Sequence, residues 1–259
     1  MHTFRTERSR ALAVVVLALV ATMAYPVTPA LAGDTSSAAP VAATISKLSP
    51  TSGTVVGGAV VTITGKGLGG TTAVAFGNVA ATTFTVASDK TVTAIAPALN
   101  AGTYAIAVTT AAGTTTAKTF TVRTLEDEVL RLVNQARATK RKCGSKTYKA
   151  VPAVRKNTKL AKVAAAHSTD MAVHDYFSHY SRNGDSPFDR MKDAGYRYSS
   201  AGENIAAGYR TPASVVSAWL KSTGHCQNIM KKSYTQLGVG YATGGYYGTY
   251  WTQDFGRPR

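Results

Sequence analysis

Ser222 and His225 stand three positions apart, so a hydroxyl and an imidazole are available as nucleophile and base. No nucleophile elbow or oxyanion-hole motif accompanies them, which leaves serine hydrolysis weakly supported. A zincin-type protease is weaker still, because the chain contains no His-Glu-x-x-His. Walker and dinucleotide-binding fingerprints are also missing. Cys143 and Cys226 are the 2 cysteines of the chain, too few for a cysteine-built zinc site or a small disulfide scaffold. In an oxidising compartment they read as one disulfide, worth roughly 4–5 kcal/mol through the loop it closes. The competing reading makes Cys226, beside His225, a reactive thiol. His167 falls on the apolar face of a helical pattern and reads as a core histidine, whereas His174 reads as exposed or at an edge.

The charge pattern gives a second kind of chemistry. Lys plus Arg number 29 against 13 Asp plus Glu, a net charge of +16, most of it beyond residue 123. Between positions 137 and 162 lie Arg137, Lys140, Arg141, Lys142, Lys146, Lys149, Arg155, Lys156, Lys159 and Lys162, with no acid among them. Such a run attracts polyanions irrespective of their sequence: an anionic cell-envelope polymer, lipid headgroups or extracellular nucleic acid. The alternative is a solvated loop and helix face. No sequence-specific nucleic-acid recognition is expected, and the chain is expected to be a monomer.

These groups need elements to position them, and 259 residues at 44% apolar content suffice for one large or two small cores. Arg5, Arg8 and Arg10, an apolar run over 11–24, Pro26 and Ala30-Leu31-Ala32 follow the layout of a signal peptide over 1–32. The run is too short to span a membrane, so the expected product is secreted and extracellular, without a transmembrane segment after cleavage. A linker is expected over 33–42.

Residues 43–123 use a different vocabulary. They contain many Thr, Val, Ala and Gly, a single acid (Asp89), and no His, Cys or Trp. Alternating runs at 59–64, 73–76, 91–95, 104–108 and 120–122, separated by turn residues, predict an all-β antiparallel sandwich. Leu48-Ser49-Pro50-Thr51-Ser52-Gly53, then Gly57-Gly58, Val61-Thr62-Ile63-Thr64-Gly65 and Val74-Ala75-Phe76-Gly77, resemble the immunoglobulin-like IPT/TIG family. The resemblance implies a spacer or binding module without chemistry of its own.

From Thr124 to residue 259 the pattern becomes α+β. Leu125, Val129, Leu132, Val133 and Ala136 lie at helical spacing behind an acidic first turn. A second helix is expected from Asn157 to about Tyr176, a short one after Ser186-Pro187 with Gly195 as its stop, and another after Thr211-Pro212. The C-terminal part reads as a hairpin, Leu237 to Tyr241 and Tyr246 to Phe255, turning at Thr243-Gly244-Gly245.

Within this half, Asn134-Gln135-Ala136-Arg137, Tyr176-Phe177-Ser178-His179, Gly202-Glu203-Asn204-Ile205-Ala206, Trp219-Leu220-Lys221-Ser222, Gly224-His225, Asn228-Ile229 and Tyr250-Trp251-Thr252-Gln253-Asp254-Phe255-Gly256 occur in order. Together they resemble the bacterial SCP-like branch of the CAP superfamily. The resemblance implies an α-β-α sandwich and a cavity that in many members holds two His and two Glu around a divalent metal. Carried over residue by residue, the cavity comprises His179, Glu203, Ser222 and His225. The second Glu is replaced by Ser222, so a metal such as Zn2+ would take His179 and His225, with Glu203 as a third ligand or as a catalytic base. A structural network around Glu203 is the competing reading. The expected function is a module binding a lipid, another small ligand or a cell-envelope partner, without efficient hydrolysis. The alternative is a metal-dependent hydrolase acting on peptide or wall material.

Overall fold

The computed structural model describes residues 41–259. The leader expected over 1–32, and all but the last two residues of the linker expected over 33–42, lie outside the described residues.

The first domain contains β1 (Thr44–Ser49), β2 (Ser52–Thr54), β3 (Val60–Lys66), β4 (Ala73–Phe76), β5 (Val79–Ala80), β6 (Thr83–Ser88), β7 (Thr91–Ile95), β8 (Gly102–Thr110) and β9 (Gly113–Arg123). They form two sheets, ordered β1-β3-β7-β6 and β2-β9-β8-β4-β5. Period-two alternation puts Val61, Ile63, Val92 and Ala94 of one sheet and Val74, Phe76, Ile106, Val108 and Phe120 of the other into a shared core. Phe76 and Phe120 meet edge to face with centroids 5.1 Å apart. One pairing departs from the expected antiparallel plan: β2 runs parallel to β9. The chain crosses from the edge of one sheet to the edge of the other between β1 and β2, so no hairpin turn reverses its direction there.

The second domain opens at once after β9. Thr124 caps α1 (Leu125–Arg137), its hydroxyl accepting from the Asp127 amide, and Glu126, Asp127 and Glu128 oppose the helix dipole. A short hairpin follows, β10 (Arg141–Cys143) and β11 (Lys146–Tyr148), then β12 (Arg155–Lys156). Asn157 caps α2 (Thr158–Val173). Ser186 and Asp189 form a capping box for α3 (Pro187–Asp193), and Gly195, at φ +69°, ends that segment. Beyond β13 (Tyr198–Ala207) come α4 (Pro212–Lys221), α5 (Thr223–Ile229), β14 (Gln236–Gly244) and β15 (Gly248–Pro258). The hairpin therefore turns later than its sequence suggests. Gly244 pairs with Gly248, and Tyr246 and Tyr247 occupy the turn rather than the strand.

The sheet order is β12-β14-β15-β13. Leu237 and Val239 of β14 point toward Val129, Val133, Val215, Trp219 and Ile229 of α1, α4 and α5. The intervening Gly238 and Gly240 face α2. A Cβ at these positions would lie 2.1 Å from the Leu160 carbonyl carbon and 2.2 Å from that of Ala164, so helix and strand touch backbone to backbone. The result is an α-β-α sandwich.

Two further ties shape the region around α5. Cys143 and Cys226 form a disulfide, Cα to Cα 5.5 Å, joining the β10–β11 hairpin to α5. Arg137 belongs to the basic run by sequence but is fully buried, and burial lowers its pKa to about 10. Its guanidinium donates to the carbonyls of Pro152 (2.8 Å), Ile229 (2.6 Å), Lys231 (3.2 Å) and Tyr234 (3.1 Å), so it cannot meet a polyanion.

Candidate functional site

Three elements bring the candidate residues together: the 174–186 loop carries His179, β13 carries Glu203, and α5 carries His225. Ser222 sits at the junction of α4 and α5. Strand β13 is fixed from both sides. Asn228 donates to the Glu203 carbonyl (3.1 Å) and to Asn204 Oδ1 (2.9 Å). The Trp219 indole donates to the Ile205 carbonyl (3.1 Å). Asn204 in turn donates to the backbone carbonyl of His225 (3.2 Å) and to Gln253 (3.0 Å). Much of the motif that looks chemical is thus a frame of buried amides.

The Glu203 side chain is 2% exposed, and both of its oxygens are engaged. His179 Nδ1 donates to Oε1 at 2.7 Å, and Arg190 of α3 donates to Oε2 at 2.6 Å. Arg190 also donates to the carbonyls of His179 (2.9 Å) and Asp185 (3.1 Å) and to the Ser181 hydroxyl (3.1 Å), which pins the loop that bears His179. Across the β13–β15 register from Glu203 lies Asp254, fully buried, with neither carboxyl oxygen hydrogen-bonded. Burial pushes its pKa well above the usual carboxylate range and the neighbouring Glu203 charge pushes the same way, against the opposing pull of Arg190.

Both Glu203 oxygens are taken by His179 and Arg190, the geometry of the structural network that stands beside the ligand or base reading. That leaves the His179 Nε2 edge, the half-buried His225 imidazole and the Ser222 hydroxyl. Among the described residues, no group of three or more His, Cys, Asp or Glu side chains is arranged to hold a metal ion. Two imidazoles, one with a carboxylate bonded behind it as metal-ligating imidazoles commonly have, supply two rather than three of the protein ligands of an open zinc centre. No hydrogen bond joins Ser222 to His225 among the described residues, although both line one cleft of about 330 Å³. Its walls are Phe177, Ile205, Tyr209, Trp219 and Tyr247.

His167 is buried, and its Nε2 donates to the Ser178 carbonyl at 2.9 Å. His174 is exposed and pairs with Asp170 at 2.9 Å. The pKa of His167 lies below the ordinary histidine value because burial, and then the Arg190 charge, oppose a proton. Burial and the charge of His179 lower that of His225. Below about pH 6.5 the unfolded chain therefore binds protons at these two histidines that the folded one refuses, so their contribution to stability holds above that pH and falls beneath it, while Asp254, with its raised pKa, acts in the opposite sense at lower pH. Thermal melts between about pH 7 and 5 should show the loss, steepening toward about 1.4 kcal/mol per pH unit for His167. His167→Gln, which can still donate to Ser178, should flatten the decline; an unchanged pH dependence would contradict this assignment.

The second domain is thus an α-β-α sandwich with an oriented His–Glu pair and a second His beside an aromatic cleft. Residues 130–255 match the Cysteine-rich secretory protein family (CAP), and residues 43–122 match the IPT/TIG domain, so the chain carries a CAP domain after an IPT/TIG domain. Protein YkwD of Bacillus subtilis (strain 168) is 39% identical over 168 residues, 65% of this chain and 61% of YkwD. Membrane protein YlbC of the same organism is 40% identical over 95 residues, 37% of this chain and 26% of YlbC. The chain thus spans less than two thirds of either relative. An extracellular protein containing a SCP domain from Bacillus anthracis str. Ames shares 30% identity with a TM-score of 0.43, over 51% of this chain and 40% of that one.

Proposed function

We propose that the protein is secreted and that its CAP domain is a binding module for a small, partly apolar ligand such as a lipid, presented by the IPT/TIG domain as a spacer. The observation that carries this reading is the cleft of about 330 Å³, in which aromatic walls meet a polar end made by His225 and Ser222. Glu203, already engaged by His179 and Arg190, is the partner of a positioned imidazole rather than a free base, which favours binding over hydrolysis. The sequence layout of the leader and the Cys143–Cys226 bond support export.

A fluorescent long-chain fatty acid titrated into the protein tests the proposal. Saturable uptake of one equivalent is expected. Phe177→Ala and Tyr247→Ala, both at exposed positions, should each weaken it about 10-fold, the loss of roughly 1.4 kcal/mol of apolar contact. Uptake unaffected by both substitutions would move the ligand elsewhere. One-to-one zinc binding that His179→Ala and His225→Ala both abolish, coupled to peptide hydrolysis, would replace this reading with the metal-dependent hydrolase.

A further inference from the structure

We propose that a second cleft, between the β10–β11 hairpin and the end of α5, is a binding site for a flexible polyanion that carries phosphates along its backbone. The cleft holds about 690 Å³, and its lining includes Lys146, Tyr148, Lys149, Gln227, Lys231 and Lys232. All four lysines are exposed. They come from two stretches of chain, and both stretches are free of acids: no Asp or Glu occurs between Glu128 and Asp170 or between Glu203 and Asp254. The field in the cleft is therefore of one sign, without carboxylates in the lining to neutralise it.

Four like charges repel, so their closeness must be imposed by the fold. The Cys143–Cys226 bond fastens the hairpin to α5. Arg137 holds the far side by donating to the carbonyls of Ile229 and Lys231. Two of the ammonium groups are also steadied by aromatic rings. Lys146 Nζ lies 5.1 Å from the centre of the Tyr148 ring, and Lys231 Nζ lies 4.7 Å from that of Tyr234. Held this way, Lys146 and Lys231 spend less side-chain entropy when an anion arrives.

The same detail selects the ligand. Single-stranded nucleic acids gain affinity by stacking bases on open aromatic faces. Here Lys146 sits over the Tyr148 ring, and Tyr234 is buried beneath Lys231. Compact ammonium groups, with one face of Tyr148 already taken by Lys146, suit successive phosphates on a non-aromatic chain better than stacked bases. The rest of the basic run contributes less. Lys156 pairs with Asp127 at 2.6 Å, and Lys159 donates to the Gly195 carbonyl at 2.9 Å.

Fluorescently labelled inorganic polyphosphate, titrated into the protein by anisotropy between about 50 and 200 mM salt, provides the test. Joint replacement of Lys146, Lys149, Lys231 and Lys232 by Ala should weaken binding about 100-fold at low salt and reduce the log–log salt slope by about 3. Replacing the exposed Lys47, Lys66, Lys90 and Lys162 by Ala removes the same charge elsewhere and should change affinity less than about 3-fold. Equal losses in the two variants would reduce the effect to net charge and overturn the site. Absence of polyphosphate binding would do the same. Tighter, groove-dependent binding of oligothymidylate would overturn the choice of ligand. Phe177→Ala should leave polyphosphate affinity unchanged, which separates this site from the aromatic cleft.

Discussion

Replacing Glu203 by Ala should cost the protein about 3–5 kcal/mol, the penalty for stripping a buried ion of its partner. Arg190 is 11% exposed and Glu203 is 2% exposed, so water cannot take over the lost contact. Two consequences should accompany the loss. The loop from 174 to 186, held by Arg190 through the carbonyls of His179 and Asp185, should become more open to proteolysis. Asp254, no longer beside a negative charge, should ionise at a lower pH than before, though burial still holds it above the ordinary range. Glu203→Gln keeps one acceptor and the shape, and should cost about 1–3 kcal/mol. Urea denaturation of both variants measures the difference. A loss below about 1 kcal/mol in Glu203→Ala would mean that the pair contributes no more than a surface bridge does.

The second large effect belongs to the disulfide. The cysteines are separated by 83 positions, and converting both to Ser should cost about 4 kcal/mol through the freedom returned to the unfolded chain. The β10–β11 hairpin has three residues in each strand, too few to persist without support. It should therefore fray before the rest of the domain. Melting curves with and without reductant read the effect, and the Cys143→Ser/Cys226→Ser variant should no longer respond to reductant. Hydrogen exchange should show the earliest loss of protection at 141–148.

How far these features could be read beforehand depended on whether the physics was local. Thr124, Asn157, Ser186-Pro187 and Thr211-Pro212 announce helices because a cap is satisfied within four residues, and each of those helices begins where its cap predicts. Strand β13 gives no such sign. Its central residues are buried on both faces, partly by amides, so the usual alternation of apolar and polar positions is lost. The approach of His179 to Glu203 came from a family resemblance, since a separation of 24 residues carries no geometry. Arg190 and Asp254 were passed over as site residues. An arginine on a short helix and an aspartate near the end of a strand look ordinary until the fold sets both beside one carboxylate. Arg137 erred in the other direction, read as surface charge and found buried among carbonyls. Tyr246 and Tyr247 have the composition of a strand, and only the Gly244–Gly248 pairing puts them in a turn.

The contact between α2 and β14 has a mechanical consequence. A joint made of main chain against main chain at Gly238 and Gly240 has no rotamers to exchange, so it cannot absorb a displacement by repacking. Helix and sheet must then travel as a single piece. The motion available to the aromatic cleft is left to its rim, where Phe177 rides on the segment between α2 and α3 that also carries His179, and Arg190 acts as the latch on that segment.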